Sequence, residues 1–355
     1  MQQTTINMME LEQLIIACYK KNEPLFAIGS PGMGKTSLFE YCCKVLKIGF
    51  IDFRLSLRDA VDVGGMRVPD PKTGKMRHFI PDDLPDVNVH GKTGIVLFDE
   101  INVVSQLMQA TAYGLIQERR NGSYRMADGW VPMASGNNVS DRAAAQRISS
   151  ALANRFNLQY VVPDLQAWLK QYGSEHVDAR GTAFLRFRPR LFSLMPWEPI
   201  EEPDPTQPTQ PTNRARSEEV RMASARSWTK AFKFIDEEPK FRRKIFTGYV
   251  GPDIAEEFEA FWRVMENATT FENIVSDPMN AKVPAPSDSG TAYAVSGMLA
   301  RLTERKTFDP VMKYVGRLQK DFQVAFVQDL VRRNAGLKST QAYGEWAVKN
   351  QDVML

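Results

Sequence analysis

Over residues 8–163 the spacing of apolar positions switches repeatedly between a helical and an extended period. Residues 8–19 carry Met8, Leu11, Leu14, Ile15 and Cys18 at helical spacing, which predicts one apolar helix face. Residues 24–28 form a short apolar run that reads as a buried strand, and 36–47 read as a helix. Residues 50–57 alternate and are rich in β-formers. The continuous run Gly94-Ile95-Val96-Leu97-Phe98 ends in Asp99-Glu100, the pattern of a parallel strand covered on both faces. A helix over 105–119 follows, with Ser105 as its N-cap, then a turn at Asn121-Gly122 and a small hairpin reaching into 124–130. Strands over 131–135 and 156–162 enclose a helix over 143–154, and Pro163 closes the last strand. Strands alternating with helices from 24 to 163 predict a mostly parallel sheet with helices on both faces. The segment 59–89 is a long loop with a turn at Asp70-Pro71-Lys72-Thr73-Gly74, and loops of that length inside a compact domain are usually functional.

From residue 164 the extended period disappears. Helices are predicted over 164–172, 217–236, 240–247, 254–267, 292–304 and much of 311–333. The stretch 195–212 is loaded with Pro, Glu, Asp and Gln and reads as extended or disordered. The expected organisation is an α/β domain over 1–195, a Pro-rich insert or linker over 196–213, and a helical lid or C-terminal domain over 214–355. No internal repeat of solenoid period is present.

Composition narrows the setting. The chain has 355 residues, 43% hydrophobic and 25% charged, as in ordinary globular proteins. A net charge of +3 is near neutral at this size and creates no global field toward nucleic acid or an anionic membrane. Cys18, Cys42 and Cys43 form no Cys-x-x-Cys pair, and His78, His90 and His176 are scattered, so neither a disulfide framework nor a zinc site is expected. No apolar run approaches the roughly 18 residues of a membrane span. The polar N-terminus lacks the pattern of a signal peptide, and a cytoplasmic location without membrane insertion is expected.

The chemistry concentrates in Gly29-Ser30-Pro31-Gly32-Met33-Gly34-Lys35-Thr36, a glycine, four residues, then Gly-Lys-Thr between a predicted strand and a predicted helix. Glycines let consecutive backbone N–H groups turn inward as an anion nest, and the helix N-terminus adds unpaired donors. Gly29, Pro31, Gly32, Met33, Gly34, Lys35, Thr36 and Ser37 are therefore the nucleotide-binding candidates, with Lys35 for the β- and γ-phosphates and the Thr36 hydroxyl for Mg²⁺. Ligands in open α/β sheets bind beyond the carboxyl ends of the strands, where Asp99 and Glu100 fall. Asp99 is expected to hold Mg²⁺ through water beside Thr36, and Glu100 to activate the attacking water. Asn137, at the end of the next strand, is placed to bond that water or the γ-phosphate. Arg155, just before the last strand, could reach a neighbouring subunit's nucleotide.

The order of phosphate loop, Leu97-Phe98-Asp99-Glu100, strand-end Asn137 and Ala151-Leu152-Ala153-Asn154-Arg155-Phe156 resembles the AAA+ ATPases, and more closely their MoxR-like branch. The segment Leu115-Ile116-Gln117-Glu118-Arg119-Arg120 is similar to that family's helix end and hairpin beside the inter-subunit site. The resemblance implies a P-loop NTPase sheet flanked by helices, followed by a smaller all-α lid, and ATP with Mg²⁺ as ligands. It makes Lys35 and Thr36 the Walker A residues, Asp99 and Glu100 the Walker B pair, Asn137 sensor 1 and Arg155 the arginine finger, with Arg142 and Arg147 as rival fingers. Ser224-Ala225-Arg226-Ser227-Trp228 resembles the segment that carries sensor 2, which makes Arg226 that residue, with Arg221 as substitute and Ala225 where the family has proline. The family implies a hexameric ring that remodels a protein client, often with a von Willebrand factor A-domain protein as partner. A nucleic-acid motor on the same fold is the alternative. It draws on Arg180, Arg186, Arg188 and Arg190 with Phe184 and Phe187, and on Arg242, Arg243 and Lys244.

Overall fold

The structure is a computed structural model, and it describes residues 4–79, 81–141, 145–148, 150–198, 220–266 and 268–350. The chain divides into two compact units, 1–164 and 165–355. The Pro-rich stretch expected over 196–213 lies outside the described residues from 199 onward.

In the first unit β1 (Thr5–Ile6) leads into α1 (Met8–Lys21), whose start is fixed by a reciprocal cap: Asn7 accepts from the Met9 and Glu10 amides while Glu10 accepts from Asn7. Then come β2 (Leu25–Gly29), α2 (Lys35–Leu46), β3 (Gly49–Arg54) and α3 (Ala60–Gly64). An antiparallel hairpin of β4 (Met66–Asp70) and β5 (Lys75–Phe79) closes through the predicted turn. β6 (Gly94–Asp99) is followed by α4 (Gln106–Tyr113), which continues as a wider helical turn over Gly114–Glu118. A two-residue-arm hairpin, β7 (Arg120–Asn121) and β8 (Tyr124–Arg125), precedes β9 (Trp130–Gly136), α5 (Ser150–Ala153) and β10 (Asn157–Val161).

Six strands form one parallel sheet in the order β1-β10-β2-β9-β6-β3. β2, β6 and β9 are buried along their whole length because both sheet faces are covered. One face packs Leu25, Ala27, Ile95, Leu97 and Met133 against Leu11, Ile15, Leu38 and Phe39 of α1 and α2. The other packs Phe26, Ile28, Val96 and Phe98 against Val63, Met108, Ala112 and Leu115. Each fully buried Leu, Ile or Phe contributes about 1.5–3 kcal/mol. Trp130 lies so close to Gly49 and Gly94 that a Cβ on either would meet its ring at 2.7 and 2.5 Å, and its indole N–H donates to the Gly91 carbonyl.

The second unit is helical where it is described, with helices at Ala179–Phe187, Ala225–Ala231, Pro239–Val250, Pro252–Glu266, Ser289–Leu302, Phe308–Val315, Lys320–Arg333 and Gln341–Lys349. Two apolar clusters hold it, one around Phe184, Trp228, Phe246 and Phe258, the other around Leu299, Phe308, Tyr314 and Phe326. The expected fold class, a parallel α/β sheet followed by an all-α part, is the observed one. Two helix expectations fail in part: the helix expected over 217–236 begins only at Ala225 among the described residues, and residues 145–148 have no regular structure, so the helix expected over 143–154 is described only as α5. The Gln146 amide bonds to the Asn102 carbonyl at 2.8 Å instead of to a helical partner.

Cys42 and Cys43 are buried against the sheet, and burial pushes both thiols up to about 12. The thiolate is the reactive form. Iodoacetamide at pH 8 is therefore expected to alkylate both in the folded protein about a hundredfold or more slowly than in denaturant. Mass-spectrometric time courses check this, and fast labelling of either residue in the folded chain would contradict the packing.

Candidate active site

The carboxyl ends of β2, β6 and β9 lie side by side, and the loop 29–36 follows the first of them. Gly32 and Gly34 have φ of 77° and 104°, which glycine adopts without the strain a Cβ would bring. α2 starts at Gly34 with no side-chain cap bond and no acidic residue in its first turn, in contrast to the doubly capped α1. No side chain caps its first turn, and a helix dipole favours an anion at such an end. The Lys35 side chain is buried at 7% exposure and folds back on the loop, donating to the Gly29 and Ser30 carbonyls at 2.6 and 3.0 Å. Ser37 is exposed on the same turn.

Asp99 joins the loop to the sheet. Its carboxylate is 5% exposed and accepts from four donors: Thr36 Oγ1 at 2.8 Å, the Glu100 amide at 2.9 Å, the Ser135 hydroxyl, and Arg54 at 3.5 Å. Thr36 and Asp99, the two expected metal ligands, are thus in direct contact although 63 residues separate them. A hydroxyl and a carboxylate are the hard oxygen donors that Mg²⁺ prefers, and Mg²⁺ commonly takes one or two protein carboxylates with water and phosphate completing its shell. The residues fit the ion. No cluster of three or more His, Cys, Asp or Glu side chains suited to a metal occurs among the described residues.

Glu100 has φ of 60°, a left-handed conformation that is strained for a residue with a Cβ and is typical of functional turns. The Ser56 hydroxyl, two residues beyond β3, donates to its carboxylate. Asp52, two residues before the end of β3, has its carboxyl raised above the ordinary range, chiefly by burial and also by the nearby Asp99 and Glu100 charges, against the pull of Arg54.

Asn137 follows β9 at the same end. Its backbone is clamped by Asn102, which donates to the Asn137 carbonyl at 2.7 Å and accepts from its amide at 3.0 Å. Asn102 is 1% exposed, and its own carbonyl takes the Gln146 amide. The neighbouring Asn138 reaches toward the loop, with Nδ2 3.4 Å from Ser30 Oγ. Sequence reading missed Arg54, Ser56, Asn102, Ser135 and Asn138 as site residues. Their only signal was position at strand ends or in the turns that follow.

Arg155 is not beside its own loop. It precedes β10, whose first residue pairs with Leu25 and whose last pairs with Gly29. It therefore lies at the amino end of the sheet, separated from the loop by about 13 Å of strand. There it donates to the Gln117 side chain and lies 5.0 Å from the Tyr113 ring centroid. Arg147 is exposed beside Gln146, and Arg142 lies outside the described residues. Arg226 is exposed on the first turn of the helix Ala225–Ala231 in the second unit, and Arg221 there donates to the Thr247 carbonyl at 2.9 Å.

No family model and no curated protein matches the sequence. Similar solved structures include a provisionally named ATPase from Cytophaga hutchinsonii, 12% identical over 97% of this chain and 88% of that one, with a TM-score of 0.34. They also include NtrX from Brucella abortus in complex with ADP, 13% identical over 99% of this chain and 70% of that one, with a TM-score of 0.38. Likenesses this distant carry no argument about activity, which has to rest on the site itself.

Replacing Asn102 with Ala leaves the Asn137 and Gln146 backbones without their clamp. Stability is expected to fall by about 1–3 kcal/mol, read as a lower midpoint in denaturant or thermal unfolding. An unchanged midpoint would show that the clamp does not hold the strand-end turn. The sum of these contacts is a glycine-rich loop, a hydroxyl–carboxylate pair and a kinked glutamate at the carboxyl end of a parallel sheet.

Proposed function

We propose that this chain is an AAA+ ATPase of the MoxR-like kind, hydrolysing ATP with Mg²⁺ in a ring-shaped oligomer. The observation that carries the reading is the Thr36–Asp99 contact at 2.8 Å beneath the uncapped start of α2. The loop amides and Lys35 would bind the β- and γ-phosphates, Lys35 exchanging its present carbonyl partners for phosphate oxygens. Mg²⁺, held by Thr36 and Asp99, would neutralise charge on the phosphates. Glu100 would accept a proton from water as the water oxygen bonds to the γ-phosphorus and the bond to the β–γ bridging oxygen breaks, releasing ADP. Asn137, fixed by Asn102, would orient that water or the γ-phosphate.

Arg155 acts in this reading on a neighbouring copy, since its own loop is at the other end of the sheet. Head-to-tail contacts of that kind close into rings, and the family resemblance makes a hexamer the expected size. Arg226 would read the nucleotide from the helical lid. Remodelling of a protein client, with or without a von Willebrand factor A-domain partner, is the proposed output. A cytoplasmic setting fits the three free, buried cysteines. No helix among the described residues is long and apolar enough to cross a membrane.

Five of the six arginines that suggested a nucleic-acid motor pair with carboxylates of the helical unit. Arg180 pairs with Asp178 and Asp236, Arg186 with Asp329, Arg188 with Glu257, Arg242 with Glu259, and Arg243 with Glu256. Phe184 is a core residue. These stretches hold the helical unit together, which favours the protein-remodelling reading.

Glu100→Gln is expected to retain ATP binding while hydrolysis falls at least about a hundredfold. Arg155→Ala should lower turnover by about a thousandfold with binding kept, and mixing it with Glu100→Gln subunits should restore part of the activity. Phosphate release measures both. Full turnover by Arg155→Ala would remove the shared-site claim and leave the rest standing.

A further inference from the structure

β3 ends on Arg54, in register with Asp99 of β6, so the two side chains leave the same face of the sheet. Arg54 Nη2 is 3.5 Å from Asp99 Oδ2, the oxygen that also accepts from Thr36. The same nitrogen is bonded at 2.8 Å to Asp52 Oδ2, two residues back on the same face. The guanidinium therefore bridges two carboxylates. Its Nε is buried without an acceptor among the described residues, so the arrangement leaves one donor unspent. A divalent ion bound to Thr36 and Asp99 would meet a fixed positive charge at the very oxygen it needs.

Resting on the reading of this site as a Mg²⁺–nucleotide centre, we propose that Arg54 is a resident counter-cation of the Asp52–Asp99 pair. It holds divalent ions off Asp99 until nucleotide phosphates supply further oxygen ligands. Asp52, bonded to the guanidinium at 2.8 Å in this structure, would retain it when a metal takes Asp99 and so make the displacement reversible. Arg54 is a positioning residue acting through Asp99, and it sets the order in which nucleotide and metal load. The protein contributes one hydroxyl and one carboxylate, a weak Mg²⁺ site alone and an adequate one with phosphate oxygens added.

The test is Mn²⁺ binding to the full chain by electron paramagnetic resonance, first without nucleotide and then with ADP. Wild type is expected to bind weakly alone and more tightly with ADP. Arg54→Gln and Arg54→Ala should each bind Mn²⁺ about tenfold more tightly without nucleotide, equivalent to about 1.4 kcal/mol. Arg54→Lys, which keeps the charge, should stay near wild type, and adding Asp99→Asn to Arg54→Gln should cancel the gain. Neutral variants within twofold of wild type, with ADP still recruiting Mn²⁺, would overturn the inference and leave the nucleotide site standing. Failure of ADP to recruit Mn²⁺ to wild type would overturn both. The two neutral variants differ in size, so misfolding of one leaves the other to decide.

Discussion

Everything about the site depends on one partly buried hydrogen bond, from the Thr36 hydroxyl to the Asp99 carboxylate. Thr36 belongs to the first turn of the helix after the loop, and Asp99 ends a strand that is buried along its whole length. The bond sets the distance between loop and sheet. A carboxylate at 5% exposure is costly to bury unless its oxygens are satisfied, and here the Ser135 hydroxyl, the Glu100 amide and Arg54 complete the set. Satisfying that charge also prepares the place a cation would take. The same residues that make the burial tolerable make the site chemical.

The parallel sheet then separates two kinds of chemistry by its ends. Loop, the Thr36–Asp99 pair, Glu100 and the Asn102-clamped turn all gather at the carboxyl end, as the dipoles and loop connections of α/β folds favour. Arg155 gathers with Gln117 and Tyr113 at the amino end. One copy cannot bring that arginine to its own loop, so the proposed trans arrangement follows from strand direction rather than from side-chain reach. The left-handed Glu100 is the local counterpart of this design. It carries local strain directly after the strand end, and its carboxylate accepts from the Ser56 hydroxyl.

Elements with long, unambiguous apolar periods were legible in the sequence, because burial against the sheet dictates them: α1, α2, β2, β6 and β9 lie within a residue or two of where the pattern put them. β1 was not legible, since two residues at a sheet edge need only backbone partners from β10. The irregular run 145–148 was missed for a similar reason: a tertiary bond from Asn102 outcompetes local helix propensity. The loop residues 29–36 were visible because loop chemistry is encoded in consecutive residues. Ser135, Asn102 and Arg54 act through strand register, which a single sequence does not reveal. The arginine-rich stretch 180–190 looked like a binding surface because its acidic partners, Asp236, Glu257 and Asp329, are dozens of residues away.

The central claim is that the contact between Thr36 and Asp99 builds a metal–nucleotide site on the loop 29–36. Isothermal titration calorimetry of the wild-type chain with ATP in the presence of Mg²⁺ tests it most directly, with Lys35→Ala as comparison. The account expects one ATP per chain for wild type and markedly weaker binding for Lys35→Ala. No ATP binding by the wild type, or equal binding by both proteins, would contradict it.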